Sequence, residues 1–284
     1  MGFESLGDVL TSQLLQWAHR AEEADGDYRD DDGLLICGVC HQAKETKVDI
    51  AGTEYIVACM CDCQAQEWEK RKAAMDREQW LMKLHQLPIY DELRDRTIRN
   101  QRFENAEDSV YLQKCKQFAD KWDELKDGGV GLLLSGPVGC GKTYAAACIA
   151  NALTDNGVGV LMTSFPRILK SQLPLNEIVR QSDAFDLIIV DDLGAERDTD
   201  YAAETVFQFI DNRYKSKLPL IVTTNLAPKD LREQTDMRYR RIYDRVLEMC
   251  IPMVFSGDSR RNAKRKEKAA LLRQIINGGD EANG

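Results

Sequence analysis

The sequence predicts an α/β domain with a parallel sheet between helices, preceded by a small cysteine-rich module. A glycine-rich loop, residues 136–143, stands between an apolar run typical of a strand and an Ala-rich run typical of a helix. Apolar strand-like runs then alternate with helical stretches, which indicates a parallel sheet covered on both faces. Ahead of this domain, five of the nine cysteines fall within residues 37–63.

The first 36 residues are acidic, with nine acidic and two basic side chains. Leu10, Leu14 and Trp17 form a short helical stripe, and the charged, glycine-interrupted run from Asp25 to Gly33 predicts a linker. A tethered amphipathic helix often docks a partner, and it is equally typical of a weakly packed N-terminus. Residues 1–36 are therefore predicted to form an N-terminal helix and a linker.

The cysteines predict a zinc module over residues 37–75. A C-x-x-C pair and a later thiolate cluster flank a short hairpin-like stretch, as in tetrahedral zinc sites of domains too small to fold by core burial alone. Disulfides are the competing interpretation, and the lack of a signal peptide pattern argues against them. Four thiolates leave no position for water, which favours a structural role. Six ligand candidates exist: we choose Cys37, Cys40, Cys61 and Cys63, with Cys59 and His41 as substitutes.

Residues 76–105 are predicted to form a connector. It consists of a charged helix, which ends at Pro88, followed by an irregular segment. In that segment Arg102 and Phe103 are expected beside the nucleotide base. Residues 106–276 are predicted to form the α/β domain, and residues 277–284 a disordered tail. The ligand site of the α/β domain is expected beyond the carboxyl ends of its strands. The predicted strands are 130–135, 157–163, 186–190, 219–224 and 251–255.

The glycine-rich loop matches the pattern G-x-x-x-x-G-K-[ST] at every fixed position. Its backbone N–H groups and the following helix N-terminus can bind phosphate oxygens. Lys142 can reach the β- and γ-phosphates of ATP or ADP, and the Thr143 hydroxyl can ligate Mg²⁺. A ligand-free turn is the alternative, and the strand–loop–helix context argues against it. The residues predicted to line the nucleotide are Gly136, Pro137, Val138, Gly139, Cys140, Gly141, Lys142, Thr143 and Tyr144.

Polar side chains end two of the predicted strands. Asp191 and Asp192 follow one of them, and we assign Asp191 to Mg²⁺ and Asp192 to the base that orients the attacking water. Asn225 ends the next strand and can hold that water or contact the γ-phosphate; a turn-forming Asn is the alternative. Arg241 and Arg245 share one helical face, where they can stabilise a neighbouring subunit's γ-phosphate or simply be exposed.

Composition excludes a membrane-spanning protein, because no apolar run approaches the roughly 20 residues that a spanning helix needs. The N-terminus lacks the basic and apolar regions of a signal peptide, so the cytoplasm of a bacterium or of a phage-infected host cell is expected. The net charge of −9 does not indicate a nucleic-acid binder, although residues 256–276 carry seven basic and two acidic side chains. That basic stretch is consistent with a solvated helix end.

These motifs together carry a family resemblance. The segments G-P-V-G-C-G-K-T, D-L-I-I-V-D-D-L-G-A-E, T-T-N-L, R-R-I-Y-D-R-V and F-S-G-D-S-R-R resemble the DnaC-type helicase loaders, which are AAA+ P-loop ATPases related to the IstB transposition ATPases. The cysteine module is similar to that of phage-encoded loaders. The resemblance covers about residues 37–276 and implies an AAA+ domain without a helical lid.

The resemblance also implies roles for single residues. Asn225 matches the sensor 1 position, and Arg245 matches the arginine finger with Arg241 beside it. Arg260 or Arg261 falls where such proteins carry a C-terminal arginine near the nucleotide. Asp192 stands where Glu is usual, which suits a slow switch better than a fast motor, and Glu196 is a possible substitute.

The function implied is an ATP-dependent loader that binds a hexameric replicative helicase through its zinc-containing region. ATP-bound subunits of such loaders associate through the ATP site and contact single-stranded DNA, for which Arg167 and Lys170 are candidate contacts. Two alternatives stay open. One is an IstB-like helper of a transposase, which the zinc module disfavours, and the other is a slowly hydrolysing, nucleotide-switched adaptor.

Overall fold

The computed structural model describes residues 19–50, 52–104, 109–195 and 199–256, together with Lys268, Ala269 and Leu272. The chain divides into two compact units, Met1–Glu78 and Gln79–Gly284. None of the described helices is long and apolar enough to cross a membrane. The N-terminal helical stripe and the C-terminal tail predicted from the sequence lie outside the described residues.

The first unit contains two antiparallel strand pairs and the beginning of a long helix. Strand β1 (Tyr28–Arg29) pairs with β2 (Leu35–Ile36), and β3 (Glu45–Ile50) pairs with β4 (Thr53–Ala58). Helix α1 (Asp62–His85) begins directly after the second cysteine cluster. The hairpin β3–β4 therefore separates the two groups of cysteines in the sequence.

The prediction of an unpacked linker from Asp25 to Gly33 is wrong for its central part. Tyr28 and Arg29 form β1, and the Asp27 side chain is buried in an ion pair with Lys44, with 2.5 Å between Oδ2 and Nζ. The acidic run gives no sign of packing in the sequence, because the lysine that pairs with Asp27 lies 17 residues further along the chain. A buried carboxylate is tolerated when a cation and N–H donors surround it.

The second unit holds the predicted parallel sheet and its helices. In chain order the α-helices and strands are α2 (Pro88–Leu93), α3 (Val110–Asp120), α4 (Trp122–Leu125), β5 (Gly131–Ser135), α5 (Lys142–Asp155), β6 (Val160–Ser164), α6 (Phe165–Ile168), α7 (Leu175–Ser182), β7 (Leu187–Leu193), α8 (Asp200–Ser216), β8 (Leu220–Thr224), α9 (Pro228–Arg232), α10 (Met237–Met249) and β9 (Cys250–Val254). The sheet follows the order β6-β7-β8-β5-β9 with parallel pairing throughout.

Alternate residues of the strands contribute to two separate hydrophobic cores. In β5, Leu133 packs into one core while Leu132 and Leu134 pack into the other. In β7, Ile188 and Ile189 divide in the same way. Successive side chains of a strand point to opposite faces, so both faces of this sheet are covered. Because both faces of the sheet are buried, the strand segments of the sequence are almost continuously apolar.

Part of the predicted connector packs into one of these two cores. Leu84, Ile89 and Leu93 are buried in the core that Leu133 joins. At Gly159 an added Cβ would lie 2.3 Å from the Trp80 ring, which shows how closely the end of α1 approaches the strand β6. Pro88 does not simply end a helix: α1 ends at His85, and Pro88 begins α2, where a missing N–H costs nothing.

The strands differ from their predicted bounds by a few residues at each end. The largest shifts are three residues: β7 ends at Leu193 instead of residue 190, and β6 begins at Val160 instead of residue 157, because Gly157 has a left-handed φ of 79° and belongs to the turn after α5. The expectation of no helical lid concerns residues after Ser256, and nearly all of these lie outside the described residues.

Candidate nucleotide site and cysteine cluster

The glycine-rich loop joins the end of β5 to the start of α5. Gly136 has a φ of 145°, and a Cβ there would lie 2.3 Å from the carbonyl oxygen of Phe255, so only glycine fits. Gly141 is the N-cap of α5 in a left-handed conformation. The loop therefore lies at the N-terminus of a 14-residue helix, where backbone N–H groups and the helix dipole favour a phosphate.

Lys142 connects the loop to the end of β8. Its ammonium group donates to the carbonyl oxygens of Gly136 and Pro137 at 2.8 and 3.0 Å and to Oδ1 of Asn225 at 2.9 Å. The residue is 5% exposed. The structure thus brings together Lys142 and Asn225, which are 83 residues apart in the sequence.

Asp191, the predicted magnesium ligand, accepts hydrogen bonds from two threonines. The Thr143 hydroxyl donates to its two oxygens at 2.9 and 3.2 Å, and the Thr223 hydroxyl donates to Oδ1 at 2.7 Å. Burial raises the pKa of the Asp191 carboxyl and the charge of Asp192 acts in the same direction, whereas the two hydroxyls lower it. A divalent cation would favour the ionised form.

Asp192 occupies an irregular part of the sheet. The pairing of β7 with β8 shifts register between Val190 and Leu193, and Asp192 has a left-handed φ of 60°. Its backbone N–H donates to the Thr223 hydroxyl at 2.9 Å, and its Oδ1 lies 3.4 Å from Nδ2 of Asn225. A non-glycine residue with such a φ is uncommon in a strand and marks a local constraint.

The segment before α3 lies against α5. The Tyr144 hydroxyl donates to the Arg102 carbonyl oxygen at 2.7 Å, and Phe103 packs against the core that contains Leu132 and Leu134. Asn151 donates to the carbonyl oxygens of Ile98 and Gln101 at 2.7 and 2.8 Å. The structure therefore fixes this segment to the helix that begins at the nucleotide loop; the prediction that it borders the base stays a prediction.

Arg245 and Arg241 lie together on α10, against α8. The Arg245 Nε donates to Oδ1 of Asp211 at 2.7 Å, and its Nη1 donates to the Arg241 carbonyl oxygen at 3.0 Å. Both guanidinium groups stack on the Phe207 ring, at 4.8 Å for Arg245 and 4.1 Å for Arg241. Neither contacts Lys142 or Asp191 among the described contacts, and their action on a neighbouring subunit stays a prediction.

Of the remaining residues predicted to have a role, some lie outside the described residues and others lie within them. Arg260 and Arg261 lie outside the described residues, as does Glu196. Arg167 makes a long ion pair with Asp95, with 3.7 Å between Nη2 and Oδ1, and Lys170 is exposed. The roles of all four basic residues stay predictions.

In the first unit, four cysteine sulfur atoms lie within 4.8 Å of one another. Gln42 and Asp62 join the two cysteine pairs, because the Asp62 N–H donates to Oε1 of Gln42 at 2.8 Å and Nε2 of Gln42 donates to the Asp62 carboxylate at 2.6 Å. The cluster consists of the four ligands chosen from the sequence, Cys37, Cys40, Cys61 and Cys63. An all-thiolate set at this separation fits the chemistry of tetrahedral zinc.

The surroundings of the cluster shift the pKa values of its thiols in opposite directions. The backbone N–H of Gln42 lowers the pKa of the Cys40 thiol to about 6, whereas burial raises the pKa of Cys61 and the hydrogen bond with Cys40 raises the pKa of Cys63 to about 11. Lys44 is buried beside the cluster, and its ion pair lowers the pKa of Asp27 to about 2. Asp27 also accepts from the backbone N–H of Gly38, at 3.0 Å, inside the first cysteine pair.

The two substitute ligands make other contacts. The Cys59 thiol donates to the Ala43 carbonyl oxygen at 3.4 Å. The His41 ring lies 3.4 Å from the Tyr28 hydroxyl, measured at Nδ1, and its backbone has a left-handed φ of 57°. Among the described residues neither belongs to the group of four sulfurs.

Sequence reasoning missed three residues that organise these sites. Thr223 holds Asp191 and Asp192, and its signal was a polar residue inside an apolar strand beside the aspartate strand. Asp27 and Lys44 support the cysteine cluster, and no local pattern indicates their pairing.

Comparison with known proteins gives a family and several relatives. The family described as IstB-like ATP binding protein matches residues 61–269. The chain is 26% identical to the replicative helicase loader DnaC of Escherichia coli K12 over 217 residues, 69% of this chain and 84% of the relative. It is 27% identical to the replicative helicase loader DnaI of Bacillus subtilis over 209 residues, 68% of this chain and 67% of the relative.

A shorter match links the chain to insertion-sequence proteins, at 33% identity with an ATP-binding protein of Sinorhizobium fredii over 34% of each chain. A crystal structure of DnaI superposes with a TM-score of 0.48 at 25% identity, covering 57% of this chain and 94% of that one. The family match spans well over half of the 284 residues. The chain therefore belongs to the IstB-like ATP-binding protein family, the AAA+ ATPases of the IstB/DnaC group.

Proposed function

We propose that the protein is an ATP-switched loader that delivers a hexameric replicative helicase onto single-stranded DNA during replication initiation. The observation that carries the proposal is the similarity to two replicative helicase loaders over 84% and 67% of their lengths. The nucleotide loop and the carboxylates around it lie inside the matched region. The proposal takes the partner from these relatives and the chemistry from the site.

The chemistry is Mg²⁺-dependent ATP hydrolysis. The loop N–H groups and Lys142 hold the phosphates, and Thr143 and Asp191 supply oxygen ligands for the metal. When bound there, Mg²⁺ offsets the negative charge of the phosphates. Asp192 orients the attacking water, and Asn225, between Lys142 and Asp192, senses the γ-phosphate. The short side chain of Asp192 and its constrained backbone suit slow turnover, as a switch requires.

A neighbouring subunit completes the site. Arg245 is held by Asp211 and by the Phe207 ring, so its guanidinium keeps a fixed orientation on the surface of α10. Presented to the γ-phosphate of an adjacent copy, it would couple ATP binding to self-association. Basic residues such as Lys170 then contact the phosphates of single-stranded DNA without sequence preference.

The cysteine cluster holds structural zinc and supports the surface that binds the helicase. Beside it a groove of about 550 Å³ is lined in part by Met60 and Trp68, which are both exposed, and by the charged side chains of Arg71 and Glu67. Exposed Met and Trp side chains within a polar rim are typical of protein-binding surfaces.

A transposase helper is the second candidate, and the insertion-sequence relative favours it. That match covers only about a third of each chain, which is less than the similarity to the two helicase loaders covers. A nucleotide-switched adaptor with little hydrolysis is a third candidate, which the aspartate at position 192 favours.

Helicase delivery to single-stranded DNA coated with binding protein tests the proposal. The full chain should bind the hexameric replicative helicase and stimulate its loading with ATP present. Lys142→Ala should bind the helicase without loading it, whereas Lys121→Ala, which changes an exposed lysine away from the site, should load normally. Cys61→Ser should lose helicase binding and Cys59→Ser should keep it. Failure of the full chain to bind helicase, with altered transposase activity on duplex DNA, would favour the second candidate.

A further inference from the structure

We infer that Thr223 is a positioning residue that fixes both carboxylates of the nucleotide site through one hydroxyl group. The inference rests on the proposed Mg²⁺-dependent hydrolysis and assigns a role to a residue of the neighbouring strand. Thr223 lies in β8, two residues before Asn225, and is completely buried. It does not reach the nucleotide loop itself, so its effect passes through Asp191 and Asp192.

The Thr223 hydroxyl uses its donor and one acceptor position on the two aspartates. It donates to Oδ1 of Asp191 at 2.7 Å and accepts from the backbone N–H of Asp192 at 2.9 Å. The first contact sets the rotamer of the proposed magnesium ligand. The second holds the backbone of the proposed base in the left-handed conformation at φ 60°. One atom thus ties together two residues with different roles.

Thr143 shows why this second hydroxyl matters. Thr143 also donates to Asp191, at 2.9 and 3.2 Å, but it is itself a proposed magnesium ligand, so replacing it would remove a ligand as well as a hydrogen bond. Thr223 lies on the neighbouring strand and is not a proposed ligand, so replacing it removes only hydrogen bonds. Groups that hydrogen-bond to metal ligands typically change metal affinity or activity by about 10-fold to 100-fold when removed.

The sheet provides a matched control for the loss of a buried hydroxyl. Thr163 lies in β6 and is 1% exposed, and its Oγ1 has no hydrogen-bond partner in the described part of the chain. Replacing either threonine with valine keeps the shape and removes the hydroxyl. Only at position 223 does this leave the Asp192 N–H without its partner and remove one of the two hydrogen bonds that Oδ1 of Asp191 accepts.

The test compares Thr223→Val, Thr223→Ser and Thr163→Val in two measurements, ATP turnover and the Mg²⁺ dependence of fluorescent ATP-analogue binding. Thr223→Val should lower kcat by about 10-fold to 100-fold and raise the half-saturating Mg²⁺ concentration about 10-fold, with Mg²⁺-free nucleotide affinity unchanged. Thr223→Ser should restore both values, and Thr163→Val should match the native chain in both.

A Thr223→Val protein with native turnover and native Mg²⁺ dependence would overturn the inference. Equal losses in Thr223→Val and Thr223→Ser would also overturn it, because the hydroxyl would then not be the cause. An inactive native chain would contradict the proposed hydrolysis alone, since the Mg²⁺ titration of analogue binding still decides the role of Thr223.

Discussion

The cysteine cluster and the nucleotide site are assembled in opposite ways. The four cysteines come from residues 37–63, and a hairpin is enough to bring them together. The nucleotide site draws Lys142, Asp191 and Asn225 from one edge of a five-stranded sheet whose two faces are both packed. Proximity is local in the first case and depends on the whole fold in the second.

The two regions also differ in what stabilises them. Between residues 19 and 78 the described buried apolar side chains are Leu35, Ile36, Cys37 and Cys61, so half of them are metal-ligand candidates. The second unit buries two extended hydrophobic cores. Small domains with so little apolar burial need a metal or disulfides to fold. The comparison indicates that the first unit depends on its cluster, whereas the second does not depend on its site.

Removal of metal should have the largest effect. Structural zinc contributes about 10–16 kcal/mol in small zinc-binding peptides, more than the stability of most domains. We expect a strong chelator, or Cys61→Ser, to unfold residues 19–78 and to leave nucleotide binding by the second unit intact. Zinc content and hydrogen exchange resolved by peptide would measure this.

Cys59→Ser is the matched control for that experiment. Its thiol is outside the cluster and bonds the Ala43 carbonyl oxygen, so zinc content and exchange should stay native. Slow exchange across residues 37–63 after complete chelation would contradict the proposed dependence on metal.

Lys142→Ala should have the opposite effect to metal removal: the protein should lose ATP hydrolysis and stay folded. The ammonium group donates to the loop carbonyl oxygens of Gly136 and Pro137 and to Oδ1 of Asn225. We expect ATP turnover to fall by about 1,000-fold and the thermal midpoint to stay close to native. Lys121→Ala should leave turnover unchanged. Unfolding of Lys142→Ala would show that site and fold are as tightly linked here as at the cysteines.

Much of this contrast could be predicted from the sequence. The C-x-x-C pair and the G-x-x-x-x-G-K-T loop are local patterns, and their geometry follows from adjacent residues. Asp191 and Asn225 were also found, because each ends an apolar strand and parallel strands end at one edge of a sheet. The chosen zinc ligands lie together for the same local reason.

The rest depends on contacts between distant segments, which a single sequence does not reveal. The Asp27–Lys44 pair turns a predicted linker into packed structure. Thr223 hydrogen-bonds Asp191 from a neighbouring strand, and Asp211 hydrogen-bonds Arg245 from a neighbouring helix. In each case the residue type is ordinary for its element, and only the partner gives it a role.

Arg245→Ala tests whether a second chain completes the nucleotide site. We expect turnover to fall by about 100-fold, the effect of losing one donor to the developing charge, with ATP affinity of the isolated subunit unchanged. An equimolar mixture of Arg245→Ala and Lys142→Ala should recover part of the turnover, because one intact loop can meet one intact arginine. No recovery would argue against action between subunits.

Arg241→Ala is the comparison variant for that experiment. Its guanidinium stacks on the same Phe207 ring, so a similar loss of packing accompanies the change. If Arg241→Ala loses as much turnover as Arg245→Ala and the mixture with it also recovers, both arginines reach the neighbouring site.

Arg213→Met tests whether the stability of the second unit depends on one buried group outside its site. Arg213 is fully buried on α8 and donates at 2.9–3.3 Å to the carbonyl oxygens of Ser182, Phe185, Asp186 and Pro219. Methionine fills part of the space but removes all of these hydrogen bonds. We expect a loss of about 3 kcal/mol in the free energy of unfolding, measured by denaturant titration, with nucleotide binding retained.

Lys215→Met is the control for Arg213→Met, since Lys215 is exposed two residues further along the same helix and should change stability by less than about 0.5 kcal/mol. A partial loss at Arg213 would place the second unit among domains whose stability is distributed over a core. Complete unfolding would instead mean that the second unit depends on this one cation for its stability, as the first unit is expected to depend on its metal. The two units would then not differ in how their stability is distributed.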